Sequence, residues 1–160
     1  MNWQQVLEDK SLRDLPYKIE LNRWGQIVMS PAKSRHSNFQ GEIEFLLRTL
    51  KSPGRVFPEC PIQTSDNVKV ADVVWMSLGR YAQIKQQEVY ETAPEICIEI
   101  ISESNTMAEM MLKKDLYFEK GAFEFWLCDD QGKMSFYGRN GALTASEWVP
   151  NFPAQVVISE

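Results

Sequence analysis

The chain is predicted to be an α/β (α+β) protein, a mixed β-sheet core flanked by helices and preceded by an N-terminal β-hairpin. Three observations predict it. Strand-like apolar runs recur at residues 68–76, 96–101 and 123–128. Helical apolar stripes with start and stop signals lie at 34–51 and after Ser104-Asn105-Thr106. Strand and helix patterns therefore alternate, and such elements bury their apolar faces as helices packed on a sheet. With 160 residues, 44% hydrophobic and 24% charged, the chain suits one domain, residues 1–160, with a sizeable core.

The elements follow in order. The first dozen residues are polar and expected to be loosely held. Lys18-Ile19-Glu20-Leu21 and Gln26-Ile27-Val28-Met29 flank a turn ending in Gly25, which reads as a hairpin stopped by Ser30-Pro31. Phe39, Ile43, Leu46, Leu47 and Leu50 form one stripe of a helix over 34–51, ended by Ser52-Pro53-Gly54. Two short strands are expected at 55–57 and 61–64, a valine-rich strand at 68–76 and a short helix at 78–87. A further strand covers 96–101, and a helix capped at 104–106 runs to about Lys120, where Gly121 ends it. Residues 123–128 and 133–137 form a last hairpin, and 155–158 are strand-like.

Composition narrows the function classes. No run approaches the roughly 20 apolar residues of a membrane helix. The N-terminus lacks a basic segment followed by an apolar one, so no secretory leader is expected. The three cysteines, Cys60, Cys97 and Cys128, form no Cys-x-x-Cys pair, which argues against zinc; Cys97 and Cys128 each lie inside an apolar run and read as buried thiols of a reducing compartment, the cytoplasm. The formal net charge of −5 works against broad binding to nucleic acid, so any such affinity needs a local basic patch or a divalent metal.

The chemistry concentrates in two strands that carry an acid where an apolar residue is expected. Period-2 alternation puts Asp72 on one face with Val70, Val74 and Met76, and Glu99 with Cys97 and Ile101. Both strands are apolar on both faces, as covered central strands are. A buried carboxylate is costly unless paired or metal-bound. Two such acids on successive core strands point to a metal site, and oxygen donors suit Mg²⁺ or Mn²⁺. Each acid alone reads more readily as a strand-end group, solvated or paired with an arginine; it is the pair that points to a metal. Lys113 and Lys114 interrupt the apolar run of the following helix; taken alone they read as lysines whose stems cover apolar surface, and the helical wheel does not choose between them: Lys114 falls nearer Met107, Met111 and Phe118, and Lys113 beside Met110 and Tyr117. A lysine beside two acids and a metal would hold the attacking water or stabilise developing phosphorane charge.

The ordered set resembles the Uma-two family of bacterial restriction-endonuclease-like proteins, a branch of the PD-(D/E)XK nucleases. The resemblance runs from Leu15 to about Tyr137. It is carried by the segment from Glu20 through Gly25 to Met29-Ser30-Pro31, by His36 at a helix start, and by Ala71-Asp72-Val73. It continues in Pro94-Glu95-Ile96-Cys97-Ile98-Glu99-Ile100-Ile101-Ser102, in Lys113 with Tyr117 and Gly121, and in Gly121-Ala122-Phe123-Glu124-Phe125-Trp126. Ala71 stands where the family has proline, Glu109 where it often has aspartate, and Glu103 where proline usually follows the serine. None of these changes removes an acid or the lysine.

The resemblance implies a four-stranded mixed core sheet of restriction-endonuclease type and Mg²⁺- or Mn²⁺-dependent cleavage of phosphodiesters, with DNA the expected nucleic-acid partner. Asp72 and Glu99 would be the metal ligands, and Lys113, selected by the family spacing, would complete the catalytic set. Glu20 is read as an additional ligand, a partner for Lys113 or an exposed strand acid. His36 is read as a general base, a substrate contact or a capped polar group. Phe125 and Trp126 are core or dimer contacts, and a homodimer through the 123–126 segment and last hairpin is expected. Ser102 lacks an activating partner, so a nucleophilic role is not expected. The alternatives are a non-catalytic nucleic-acid-binding or regulatory module on the same fold, and a hydrolase of small phosphoesters.

Overall fold

The computed structural model describes residues 1–31 and 34–158. Its frame is a six-stranded sheet in the order β3 (Arg55–Thr64), β4 (Asn67–Met76), β5 (Ile96–Ile100), β6 (Glu124–Cys128), β7 (Met134–Gly138) and β8 (Gly141–Leu143). Neighbours are antiparallel except β5 and β6, which are parallel. A parallel pair needs a crossover, and α4 (Met107–Glu119) supplies it. Thr106 starts α4 by accepting a hydrogen bond from the Glu109 N–H. Gly121, at φ +106°, turns the chain into β6.

The central strands are apolar on both faces because both faces are covered. On one side α2 (Ser34–Leu50) sets Phe39, Ile43 and Leu47 against Val73, Trp75, Ile98 and Trp126. On the other, Met110 and Tyr117 of α4 pack on Val74, Cys97 and Phe125. A separate two-stranded hairpin, β1 (Tyr17–Leu21) and β2 (Ile27–Pro31), lies against β4. The chain also contains α1 (Trp3–Glu8) and α3 (Leu78–Ile84).

Several expectations change. The N-terminal segment is ordered: Asn2 and Gln5 form a capping box on α1, Val6 is buried, and the Met1 ammonium donates to the Gly25 carbonyl. Residues 55–64 are one strand, because β3 is an edge where Pro58 and Pro61 need not donate to a second neighbour. The sheet has six strands, not four: β7 and the three-residue β8 extend it. β2 continues through Pro31, again at a sheet edge. Among the described residues the tail forms no strand: it pairs through an isolated bridge between Lys133 and Gln155, with backbone bonds from Met134 to Ala154 and from Val156 to Gly132. No helix among the described residues is long and apolar enough to cross a membrane.

Candidate active site

The site forms where β4 and β5 part. Their ladder pairs Trp75 with Ile96, Val74 with Cys97 and Val73 with Ile98, then stops. The next step of that register brings Asp72 opposite Glu99, on the face turned toward α4. Beyond the fork the freed backbone donors take side-chain acceptors. The Ile100 N–H donates to Asp72 Oδ2 at 2.7 Å, and the Val70 N–H donates to Glu20 Oε2 at 2.7 Å. The latter bond, with one from Lys69 Nζ to the Leu21 carbonyl at 3.0 Å, fastens β1 across the open end.

Both acids are almost fully buried, each 1% exposed. Lys18 Nζ, from β1, lies between them at 3.0 Å from Asp72 Oδ1 and 3.0 Å from Glu99 Oε2. The other oxygens are also taken. His36 Nε2 lies 3.3 Å from Asp72 Oδ2. Tyr117 Oη and Lys113 Nζ donate to Glu99 Oε1 at 2.8 and 3.3 Å. Lys113 Nζ also pairs with Glu20 Oε2 at 2.7 Å. Lys113 therefore faces the acids, whereas Lys114 lies 3.6 Å from Asp115 and 5.5 Å from the centre of the Tyr137 ring. Asp72, Glu99, Lys113, Glu20 and His36 come together, with Glu20 as a partner of Lys113.

Four further residues complete the cluster. Lys18 is two residues before Glu20 on β1, so strand alternation already places them on one face. Tyr117 stands one helical turn beyond Lys113. Gln40, one turn beyond His36, donates to the Asp72 carbonyl at 2.7 Å and to Glu59 Oε1 at 2.8 Å. Glu59 lies on β3 between Pro58 and Cys60, whose partners Val73 and Ala71 flank Asp72. Glu44 lies apart, paired with Arg48 at 3.2 Å. Ser102 bonds to Asn105. Phe125 and Trp126 are wholly buried, so only Phe123 of that aromatic segment is exposed.

Burial and pairing pull the acids apart. Burial pushes Glu99 up to about 7 despite Lys113 and Lys18 beside it, because Asp72 and Glu20 add like charge. For Asp72, burial is outweighed by Lys18 and His36, which hold its carboxyl well below the usual carboxylate range. Glu20 is likewise lowered by Lys113 and Lys18 against the cost of burial. Lys18 is raised well above the usual lysine value, since Asp72, Glu99 and Glu20 outweigh its desolvation. His36 is raised by Asp72, also against burial.

The model of the Uma2 family, described as a putative restriction endonuclease, matches residues 7–156. The chain belongs to this family. No curated protein sequence matches it. Among solved structures it resembles the crystal structure of a putative nuclease of the DUF820 family from Anabaena variabilis, with TM-score 0.71 and 18% identity over 98% of this chain and 95% of that one. The fold of this Uma2 chain is thus that of a nuclease-like protein, as the alternating strands and helices predicted.

Whether the cluster suits a divalent metal is decided by its donors. Among the described residues no three His, Cys, Asp or Glu side chains form a ready-made cage. The Asp72 and Glu99 carboxylates nonetheless converge on one cation, the Lys18 ammonium, held by an oxygen from each. Hard oxygen donors that already grip a positive charge fit Mg²⁺ or Mn²⁺, with the remaining coordination left to water or substrate. The cluster opens onto a cleft of ≈ 250 Å³ lined by Tyr17, Lys18, His36, Glu59, Asp72 and Lys113 among others.

Proposed function

We propose that this chain is a divalent-metal-dependent endonuclease that hydrolyses phosphodiester bonds, with DNA as its substrate. The observation that carries the reading is the convergence of Asp72, Glu99 and Lys113 at the β4–β5 fork, beneath an open cleft. Asp72 and Glu99 hold the metal. Bound Mg²⁺ or Mn²⁺ supplies positive charge and Lewis acidity at a phosphoryl group.

The chain's own residues do the rest. Lys113, tethered by Glu20, presents a fixed ammonium group that orients the attacking water or balances charge developing on phosphorus. Tyr117 fixes the rotamer of Glu99 by donating to Oε1. His36 and the Ile100 N–H fix Asp72 from its far side. His36 also lines the cleft, where it can meet substrate. With a net charge of −5, affinity for a polyanion comes from these cleft cations and the metal rather than from the outer surface.

The test is incubation of end-labelled duplex and single-stranded oligonucleotides with the protein, with Mn²⁺ or with chelator. Products that need Mn²⁺ are expected. Intact substrates throughout would overturn catalysis and favour the second reading, a non-catalytic nucleic-acid-binding or regulatory module; the net charge of −5, which works against broad nucleic-acid binding, suits its regulatory form. Two parts of the proposal stand apart from the chemistry. The three buried free cysteines suit the cytoplasm. Pairing of two copies would use the surface around Phe123, and a monomer mass by light scattering at high concentration would reject it.

A further inference from the structure

We propose that Lys18 is the resident counter-cation of the Asp72–Glu99 pair, and that a divalent ion enters the site by displacing the Lys18 ammonium group. The inference rests on the reading of that pair as the metal-binding acids. It begins with which oxygens are committed. Asp72 Oδ2 is engaged by the Ile100 N–H and His36. Glu99 Oε1 is engaged by Tyr117 and Lys113. The remaining two, Asp72 Oδ1 and Glu99 Oε2, face one another, and Lys18 Nζ bridges them at 3.0 Å each. A metal ion held by both acids would draw on the oxygens that Lys18 now bridges, so it and Lys18 would claim one seat.

The arrangement answers a problem of charge. Two carboxylates set opposite each other and 1% exposed cannot both stay ionised in the metal-free fold without a cation between them. Lys113 cannot serve, because it is tied to Glu20 and to the other oxygen of Glu99. Lys18 reaches in from a different sheet. It lines the cleft, so its four-carbon stem can swing the ammonium group outward along an open path. Its strand need not move, since β1 is held independently through Glu20 to Val70 and Lys69 to Leu21. Lys18 thus keeps the empty site folded and makes loading a competition between two cations.

The test compares wild type, Lys18→Met and Lys18→Arg after chelator treatment, titrated with Mn²⁺ in a calorimeter and melted with and without Mn²⁺. Lys18→Met keeps the stem and removes the competitor. It is expected to bind Mn²⁺ roughly tenfold or more tightly than wild type. Its metal-free melting temperature should fall below wild type and recover with Mn²⁺. Lys18→Arg, which keeps the charge, should show no such gain. A folded Lys18→Met that binds Mn²⁺ no more tightly than wild type would overturn the competition while leaving the metal site standing. No binding in any of the three would overturn the metal site and the competition together. A second measurement needs no variant: amine labelling of the wild-type protein, read by mass spectrometry. Labelling at Lys18 should rise several-fold on adding Mn²⁺, and labelling unchanged by Mn²⁺ would contradict displacement.

Discussion

Tyr117 and Glu99 are joined by a hydrogen bond of 2.8 Å, in which the buried phenol donates to Oε1, the oxygen that Lys113 also reaches at 3.3 Å. One face of α4 therefore holds one oxygen of Glu99 and leaves Oε2 turned toward Asp72. Tyr117→Phe keeps the ring in the core and deletes only the donor. It is expected to cost about 1 kcal/mol of stability and to weaken Mn²⁺ binding by roughly 10–100-fold, as loss of an orienting partner does. Urea unfolding and calorimetry on the variant check both effects.

The stability of the metal-free protein should peak in mildly acidic solution. Burial raises Glu99 from its ordinary 4.5 to about 7, so the folded chain keeps a proton that the unfolded chain has released. That contribution is complete below 4.5 and is lost as pH rises through about 7, with a limiting slope of about 1.4 kcal/mol per pH unit for one proton. His36, raised by Asp72, loses its contribution over the same side, above its ordinary 6.5. Asp72 and Glu20 are lowered, so their contributions are present above their ordinary values and are lost as pH falls. Urea unfolding between about pH 3 and pH 8 should trace both arms, and Glu99→Gln should flatten the neutral one. Mn²⁺ binding needs Glu99 ionised, so affinity should climb through neutral pH.

Removing either acid should abolish Mn²⁺ binding, but the two changes should part on stability. Asp72→Asn deprives Lys18 and His36 of a charge that both contact, and should cost about 1.5–3 kcal/mol. Glu99→Gln above neutral pH removes a charge that burial already disfavours, while Lys113 keeps Glu20 and Lys18 keeps Asp72. It should be near neutral or stabilising there. Calorimetry and melting of both variants check this, and retained Mn²⁺ affinity in both would remove the metal site.

Much of the fold was legible because its central strands obey a local rule. Runs apolar on both faces marked β4 and β5 as covered, and an acid in each stood out against that background. The register that sets Asp72 opposite Glu99 follows from the same alternation. The choice of Lys113 over Lys114 was not legible from the helical wheel, since both border apolar stripes; it came from the family spacing. Lys18 was missed because its role depends on a hairpin docking 54 residues away from Asp72 in sequence, a contact no local pattern encodes. Its spacing to Glu20 was the only available sign. The short α1 went unread because a polar capping box, not an apolar stripe, defines it. β3 was divided because prolines read as strand breaks unless the strand is known to be an edge.

The most direct test of the whole account is the rate at which wild type, Lys113→Ala and Lys114→Ala cleave a short duplex in the presence of Mn²⁺. Lys113 is buried against Glu20 and Glu99, and Lys114 lies beside Asp115 at the surface. Lys113→Ala should cleave about 10²–10³-fold more slowly, because a fixed charge stabiliser is lost. It should still bind Mn²⁺, since the lysine is not a ligand. Lys114→Ala should cleave close to the wild-type rate and show at most a lower melting temperature from lost stem packing over Tyr137. A Lys113→Ala protein as active as wild type would contradict the site assignment, and a wild type that cleaves no nucleic acid would contradict the catalytic reading itself.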